Sequence, residues 1–432
     1  MPLKIKPENQ QSGDWLPLDN AAKIFPAVSG NELTIVFRLM AELDRPVNFA
    51  FLQSALTKTL ERLPYFTYRL HRGFFWYWLE ADPDGVDILP DAGLPCRAFH
   101  YKRNRKDMCR VLAKDNRISG EFFHSLTDGS GALEFMKVLL AYYAETSGFC
   151  ADKAITGLSP IPDLKELTED SYNRYFKSQI PVPDKLRKAY HLPFPHRRAP
   201  RLRVLATQVP ANQIKERSKA LGITVTEYLV SVYLWALQEI YHQVKPNMYS
   251  RKRTAIRIQV PVNMRKLFPS KTLRNFALFV MPEIDTCLGH YSFAEIVKTV
   301  RFFMERETDP KQLQRTIFRN VRGERYIFIR LVPLFIKNMI LAFHFRNLGM
   351  ELYSGLITNL GKIELPAELG GMVKRFRFYP PPPDTSRVTV ASVTLSNEMV
   401  ITFLNSSTSR LLERKFVDYL RCDGIDVKLL NP

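Results

Sequence analysis

Apolar and polar positions along the chain switch repeatedly between a strand-like and a helix-like period. Leu33–Leu43 (LTIVFRLMAEL) is a strand-like apolar run. Val47–Leu63 instead spaces Phe51, Leu52, Ala55, Leu56, Leu60 and Leu63 as one helical face, stopped by Pro64. Two aromatic-rich strands are predicted next, Tyr65–Leu70 and Phe74–Glu80, turning near Arg72 and Gly73. Alternation in the second sets Phe75 and Tyr77 on one face and Phe74, Trp76 and Trp78 on the other, a core side and a sheet-covering side. Cys109–Ala113 and Arg117–His124 read as a hairpin through Asp115 and Asn116, and Ser130–Thr146 as a helix.

From Ser159 to Arg203 the periodicity dissolves into a proline-rich, basic stretch, expected to cross a surface. Alternation then resumes. Strands are predicted at Val204–Val209, Arg257–Val262, Phe276–Ile284, Leu352–Asn359, Val388–Leu395 and Met399–Asn405. Helices are predicted at Gln213–Gly222, Thr226–Tyr241, Tyr291–Glu307, Arg315–Leu348 and Thr408–Cys422, with a polyproline loop at Tyr379–Pro383. The pattern is an α/β chain with mixed sheets, in two units of similar size: 1–180, a linker at 181–203, and 204–432.

A composition of 46% hydrophobic and 24% charged residues excludes disorder, collagen and a disulfide scaffold. Charge changes the picture more. Lys plus Arg number 62 against 43 Asp plus Glu, a net +19, so anionic partners are favoured. Five cysteines (96, 109, 150, 287, 422) without a CxxC pair suggest a reducing cytosol, and no metal set is assigned. No apolar h-region opens the chain, and the most apolar stretch, Tyr326–Phe345, is broken by Arg330, Lys337 and His344. The expectation is a cytoplasmic protein, at most peripheral at a membrane.

Chemistry concentrates at His124–Gly129, HSLTDG, between the apolar strand and the following helix. A histidine where a strand ends can present its imidazole to a cleft, and a neutral imidazole near its ordinary pKa of ~6.5 is a general base at pH 7. Asp128 can turn inward to fix the loop, and Gly129 and Gly131 allow close helix approach. The plainer reading, a loop histidine bonded to Asp128, stays open at this point.

HSLTDG, following RISGEFF, resembles the HxxxDG motif of the chloramphenicol-acetyltransferase-like superfamily. That group includes peptide-synthetase condensation domains, BAHD acyltransferases, polyketide-associated acyltransferases, wax-ester synthases and alcohol acetyltransferases. Pro261–Phe276 (PVNMRKLFPSKTLRNF) resembles the superfamily's Asn-x-Arg motif. NLGKIELP (Asn359–Pro366) and YLRCDGIDV (Tyr419–Val427) look most like bacterial alcohol acetyltransferases. The resemblance implies two such domains in a V-shaped pseudo-dimer around a central tunnel. It makes His124 the catalytic base, Asp128 a structural aspartate, Arg265 its partner, and Asn263 and Gly129 supports of the same loop. Thr358 and Asn359 become oxyanion or substrate contacts, with a β-bulge as the alternative. Phe123 stands where condensation domains and wax-ester synthases carry a second histidine, and the BAHD DFGWG motif is absent around Leu356–Lys362.

The implied activity is CoA-dependent O-acyl transfer to a hydroxyl, with acyl-CoA or an acyl-phosphopantetheine as cosubstrate, no permanently bound cofactor, and a small alcohol as acceptor. Two alternatives remain: a condensation-type transferase fed by an acyl-carrier protein, and a non-catalytic carrier- or membrane-binding member. Basic clusters at Lys102–Lys106, Arg197–Arg203, Arg251–Arg253 and Lys374–Arg377 suit solvated loops, CoA phosphates, an acidic carrier or an anionic membrane. They lack the aromatic interleaving of nucleic-acid binders, and a monomer is expected. On the 315–348 helix, Arg330, Lys337 and His344 lie seven apart, a basic stripe that could rest on a membrane interface or be the solvent face of a core helix.

Overall fold

The Leu33–Leu43 run forms strand Val36–Leu43, almost wholly buried because neighbours cover both of its faces. The computed structural model describes residues 15–82, 84–102, 105–149, 158, 160, 163–198, 200–244, 253–325 and 331–430. Strand Val36–Leu43 is second in a mixed five-stranded sheet ordered Val373–Tyr379, Val36–Leu43, Arg117–Phe123, Cys109–Lys114, Ile88–Pro90. The predicted hairpin is there, and its turn residue Asp115 takes a left-handed φ of 51°, which aspartate tolerates. Helices Phe49–Arg62 and Gly129–Thr146 pack on each other beside this sheet, around rings of Phe37, Phe66, Phe122 and Phe135.

The later part of the chain builds an eight-stranded mixed sheet, with Gly355–Ile363 parallel to both Ala255–Asn263 and Val388–Leu395. Its central helix, Val225–Gln243, opens with a Thr224/Glu227 capping box and is buried along most of its length. A third, antiparallel sheet joins Trp15–Pro17, Tyr77–Ala81, Tyr68–Arg72, Arg105–Lys106 and Tyr101–Lys102. Buried apolar side chains form two clusters, one centred on the 36–43 sheet and one on the 225–243 helix. Among the described residues no single helix is long and apolar enough to cross a membrane, and the one adjacent pair with enough apolar length, Ala211–Ala220 and Val225–Gln243, is bent by 84°.

Several sequence expectations need correction. Lys374–Arg377 is no solvated basic run: it lies in strand Val373–Tyr379, which leaves the second half to pair with Val36–Leu43. Arg377 is buried there and reaches Glu42. The 315–348 stretch is not one helix: helix Pro310–Arg322 ends well before Pro333, and Pro333, lacking the N–H a continuous helix needs, stands at the N-cap of a separate helix, Leu334–Leu348. Tyr326–Arg330, Cys150, Ser159 and Arg251–Lys252 lie outside the described residues, as do Arg103 and Asn104 of the 102–106 cluster. Arg105 of that cluster pairs with Asp82, and Lys106 is buried over the Phe123 ring. Strand Tyr77–Ala81 starts later than predicted, so Phe74, Phe75 and Trp76 are an exposed hairpin tip. Pro64–Thr67 is a 3-10 turn, and Pro282 splits the 276–284 strand into Ala277–Val280 and Glu283–Asp285. The 159–203 stretch contains short helices at Leu164–Leu167 and Ser171–Arg174, and its Tyr190 and Leu192 are buried in the second cluster.

Phe376, 1% exposed and opposite Ala41, anchors the exchanged strand. Phe376→Ala is expected to cost about 3–5 kcal/mol through lost burial and a residual cavity, and denaturant titration measures it.

Candidate functional site

His124 is the first residue past strand Arg117–Phe123, and its N–H donates to the Ile35 carbonyl at 3.0 Å, extending the ladder by one rung. The loop after it is held from three directions. Ser125 Oγ donates to the Ala22 carbonyl (3.2 Å), Tyr65 Oη to the Leu126 carbonyl (2.6 Å), and Thr127 Oγ1 to the Leu273 carbonyl (2.6 Å). Gly131 lets the Leu273 segment come this close, since a Cβ at that position would fall on the Leu273 carbonyl.

Asp128 N-caps helix Gly129–Thr146: its Oδ1 accepts from the Ser130 and Gly131 N–H groups at 3.1 and 3.2 Å. Its Oδ2 faces the other half of the chain, accepting from Arg265 Nη1 at 2.8 Å and from the Phe276 N–H at 2.9 Å. Arg265 is held in turn by the Thr272 carbonyl (3.0 Å) and the Arg274 carbonyl. Asn263 Nδ2 donates to Ser130 Oγ at 3.0 Å, while Asn263 Oδ1 accepts from the Arg265 N–H at 3.1 Å. The structure therefore gathers His124, Asp128, Gly129, Asn263 and Arg265 at one place. A buried carboxylate bonded this fully is compatible with a charged partner, because each donor offsets part of the lost hydration.

Two residues without an assigned role in the sequence complete the surroundings of the imidazole. Asn275 Nδ2 donates to the His124 carbonyl (2.9 Å) and to Asp19 Oδ2 (3.2 Å). Those two acceptors orient the amide so that Oδ1 faces His124 Nδ1 at 3.0 Å. An amide oxygen only accepts, so Nδ1 carries the proton and Nε2 keeps its lone pair. Asp19 is buried, accepts from the Ala22 N–H at 2.8 Å, and lies 3.6 Å from Arg274 Nε. Phe25 and Phe37 flank the imidazole, each with ring centroids 5.0 Å away. This burial lowers the His124 pKa below its ordinary value, against the opposing pulls of Asn275 and Asp128. At pH 7 the ring is neutral, and the residue as a whole is half-buried. Asn275 falls inside the RNF end of the Asn-x-Arg segment, so a signal existed; Asp19, in an unpatterned stretch, offered none.

Thr358 and Asn359 lie on strand Gly355–Ile363, which reaches the motif where Leu360 meets Gly129. The Asn359 amide is occupied, donating to Thr226 Oγ1 at 3.0 Å and accepting from the Gly361 N–H at 2.9 Å. The bulge weighed as the alternative is present, between Asn359 and Lys362 with Gly361 at φ 81°. Among the described residues no His, Cys, Asp and Glu group is arranged to hold a metal, and Cys96, Cys109, Cys287 and Cys422 are free thiols.

No family model matches the chain, and no curated protein matches it. Solved structures do. TRI101 of F. graminearum, complexed with coenzyme A and T-2 mycotoxin, aligns with a TM-score of 0.63 at 10% identity, covering 95% of this chain and 97% of that one. The first condensation domain of the calcium-dependent antibiotic synthetase aligns at 0.59 and 16% identity, covering 98% and 100%. Polyketide synthase associated protein 5 of Mycobacterium tuberculosis aligns at 0.58 and 13%, covering 94% and 97%. The chain therefore shares the mixed α/β fold of TRI101, of this condensation domain and of polyketide synthase associated protein 5.

Burial raises the Asp19 carboxyl from 3.8 to about 6, outweighing Arg274. The folded state then binds this proton more tightly than the unfolded state, so stability from this group falls as pH rises from about 4 through 6. Asp19→Asn removes that slope. The wild-type denaturation midpoint is expected to drop, relative to the variant, between pH 4.5 and 7.5; a flat or rising difference would contradict the assignment.

Proposed function

We propose that the protein is an acyltransferase moving an acyl group from acyl-CoA to the hydroxyl of a small alcohol, as an alcohol acetyltransferase does, with His124 as general base. The observation that carries this reading is the imidazole itself: Nδ1 is committed to Asn275, and the ring is held neutral on a half-buried residue. The TRI101 structure, which holds coenzyme A together with a small-molecule toxin, supports a two-substrate arrangement on this fold. In this reading residues 1–180 and 204–432 are the two halves, joined by 181–203, and the substrates meet at His124 in a channel between them.

His124 Nε2 takes the acceptor's proton as its oxygen attacks the thioester carbonyl. The new C–O bond gives a tetrahedral oxyanion. The Asn359 amide is engaged elsewhere, so the Thr358 hydroxyl is the donor assigned to that oxyanion. Collapse breaks the C–S bond, and the imidazolium returns the proton to the leaving thiolate, releasing ester and free CoA. Asn275 Oδ1 accepts from the imidazolium Nδ1–H throughout and so acts as a positioning residue. Asp128 and Arg265 hold the loop and exchange no proton. An acyl-carrier donor is the second reading, favoured by the net +19 charge, which suits an acidic carrier. The chemistry at His124 would be unchanged. The cytoplasm is the proposed location.

The test is thiol release from acetyl-, octanoyl- and palmitoyl-CoA with a panel of alcohols. His124→Ala is expected to lose about 10²–10⁴-fold in acceptor-dependent rate while keeping its fold. Undiminished turnover in that variant would refute the base assignment.

Asn275→Leu is expected to lose about 10–100-fold in kcat, one buried hydrogen bond's worth, with KM little changed. Its acid-limb pKa should move further down, because the Asn275 hydrogen bond is one of the interactions raising it. A rate loss with an unshifted limb would leave Asn275 no role in positioning the ring.

A further inference from the structure

Helix Leu334–Leu348 is apolar on two sides. Its inner side buries Leu334 and sets Phe345 against the first hydrophobic cluster. Its outer side carries Phe335, Ile336, Met339, Ile340 and Phe343, all exposed and spaced as one continuous helical stripe. Phe335, Met339 and Phe343 are 56, 70 and 65% exposed, far from the incidental exposure of a single apolar side chain.

A second element meets this helix. The hairpin tip at Phe74–Trp76, with Phe74 66% and Trp76 48% exposed, is fastened to the helix start. The Leu334 N–H donates to the Phe74 carbonyl (2.8 Å), Lys337 Nζ donates to the Phe75 carbonyl (3.1 Å), and the Lys337 ammonium sits 3.6 Å from the centre of a Trp76 ring. Segments 72–77 and 331–348 contain no aspartate or glutamate, and their cations are Arg72, Lys337 and Arg346. Arg72 and Arg346 are both exposed.

We infer that this face docks on an anionic lipid bilayer, with the aromatic and aliphatic stripe in the headgroup–acyl boundary and Arg72, Lys337 and Arg346 against lipid phosphates. Charge decides the occupant. A second copy would bring the same cations against their own images and add another +19, whereas an anionic membrane complements both the apolar stripe and the cations. Of the cationic stripe expected from Arg330, Lys337 and His344, Arg330 lies outside the described residues, while Lys337 and His344 share helix Leu334–Leu348 with the exposed apolar stripe.

The face is also close to the chemistry. The same helix packs on helix Phe25–Val28, and Phe25 flanks His124. Given the proposed function, membrane docking would bring a lipid-soluble acyl donor or acceptor within one helix of the base. The docking inference itself stands independently of that function.

The experiment is flotation with phosphatidylcholine vesicles, with and without phosphatidylglycerol. The wild-type protein is expected to float with the anionic vesicles and to be released by high salt. Phe335→Ser and Phe343→Ser, both solvent-facing and without a folding role, are each expected to weaken binding about tenfold or more. Phe302→Ser, an exposed aromatic on helix Phe293–Glu307, should leave it unchanged. His124→Ala should bind as wild type does, so loss of the catalytic reading would leave this result intact. No flotation, or flotation indifferent to Phe335 and Phe343, would overturn the inference. So would a solution dimer that Phe343→Ser dissociates, which would assign the face to a second copy.

Discussion

The site depends on the single carboxylate of Asp128. One oxygen starts helix Gly129–Thr146 by satisfying two of its open N–H groups; the other takes Arg265 and the Phe276 N–H from a segment more than 130 residues away. Four donors on one buried side chain make it a joint between the strand that delivers His124 and the segment that delivers Asn275. Losing it would leave Arg265 without its carboxylate, the helix uncapped and the Phe276 N–H unsatisfied, so its structural weight exceeds that of any one bond. Asn263 and Ser130 brace the same joint from the side.

What the joint sets up is a directional imidazole. Asp19 and the His124 carbonyl fix the Asn275 amide, and the amide fixes the tautomer. Aromatic rings on two sides keep the ring neutral by disfavouring its charged form. A neutral ring with one nitrogen committed and the other uncommitted to Asn275 is what proton transfer between an acceptor hydroxyl and a leaving thiolate asks for. TRI101 shares this fold in a complex with coenzyme A and T-2 mycotoxin, and a condensation domain shares it in complex with a substrate analogue, so the fold by itself names no substrate.

Much of this was legible from sequence where local pattern dominates. The hairpin ending at His124, the helix after Asp128 and the central helix at 225–243 all follow apolar spacing and caps. The Asp128–Arg265 pairing was reachable because both residues sit in recognisable segments. Long-range exchange was not legible. Strand Val373–Tyr379 hides its period-2 pattern under Lys374, Arg375 and Arg377, and Glu42 on a distant strand helps explain why Arg377 can be buried. Asp19 likewise becomes meaningful only when Asn275 is brought beside it. The apolar surface of the 334–348 helix was misjudged for the opposite reason: its composition resembles a core helix, and nothing local shows which side is covered.

The most direct test of this account is the ¹⁵N NMR spectrum of histidine-labelled protein at pH 7, with His124 assigned by its disappearance in His124→Ala. The account predicts a neutral ring with Nδ1 protonated and Nε2 bare, the form that can accept a proton from a hydroxyl. A ring protonated at Nε2 alone, or an imidazolium at that pH, would contradict it.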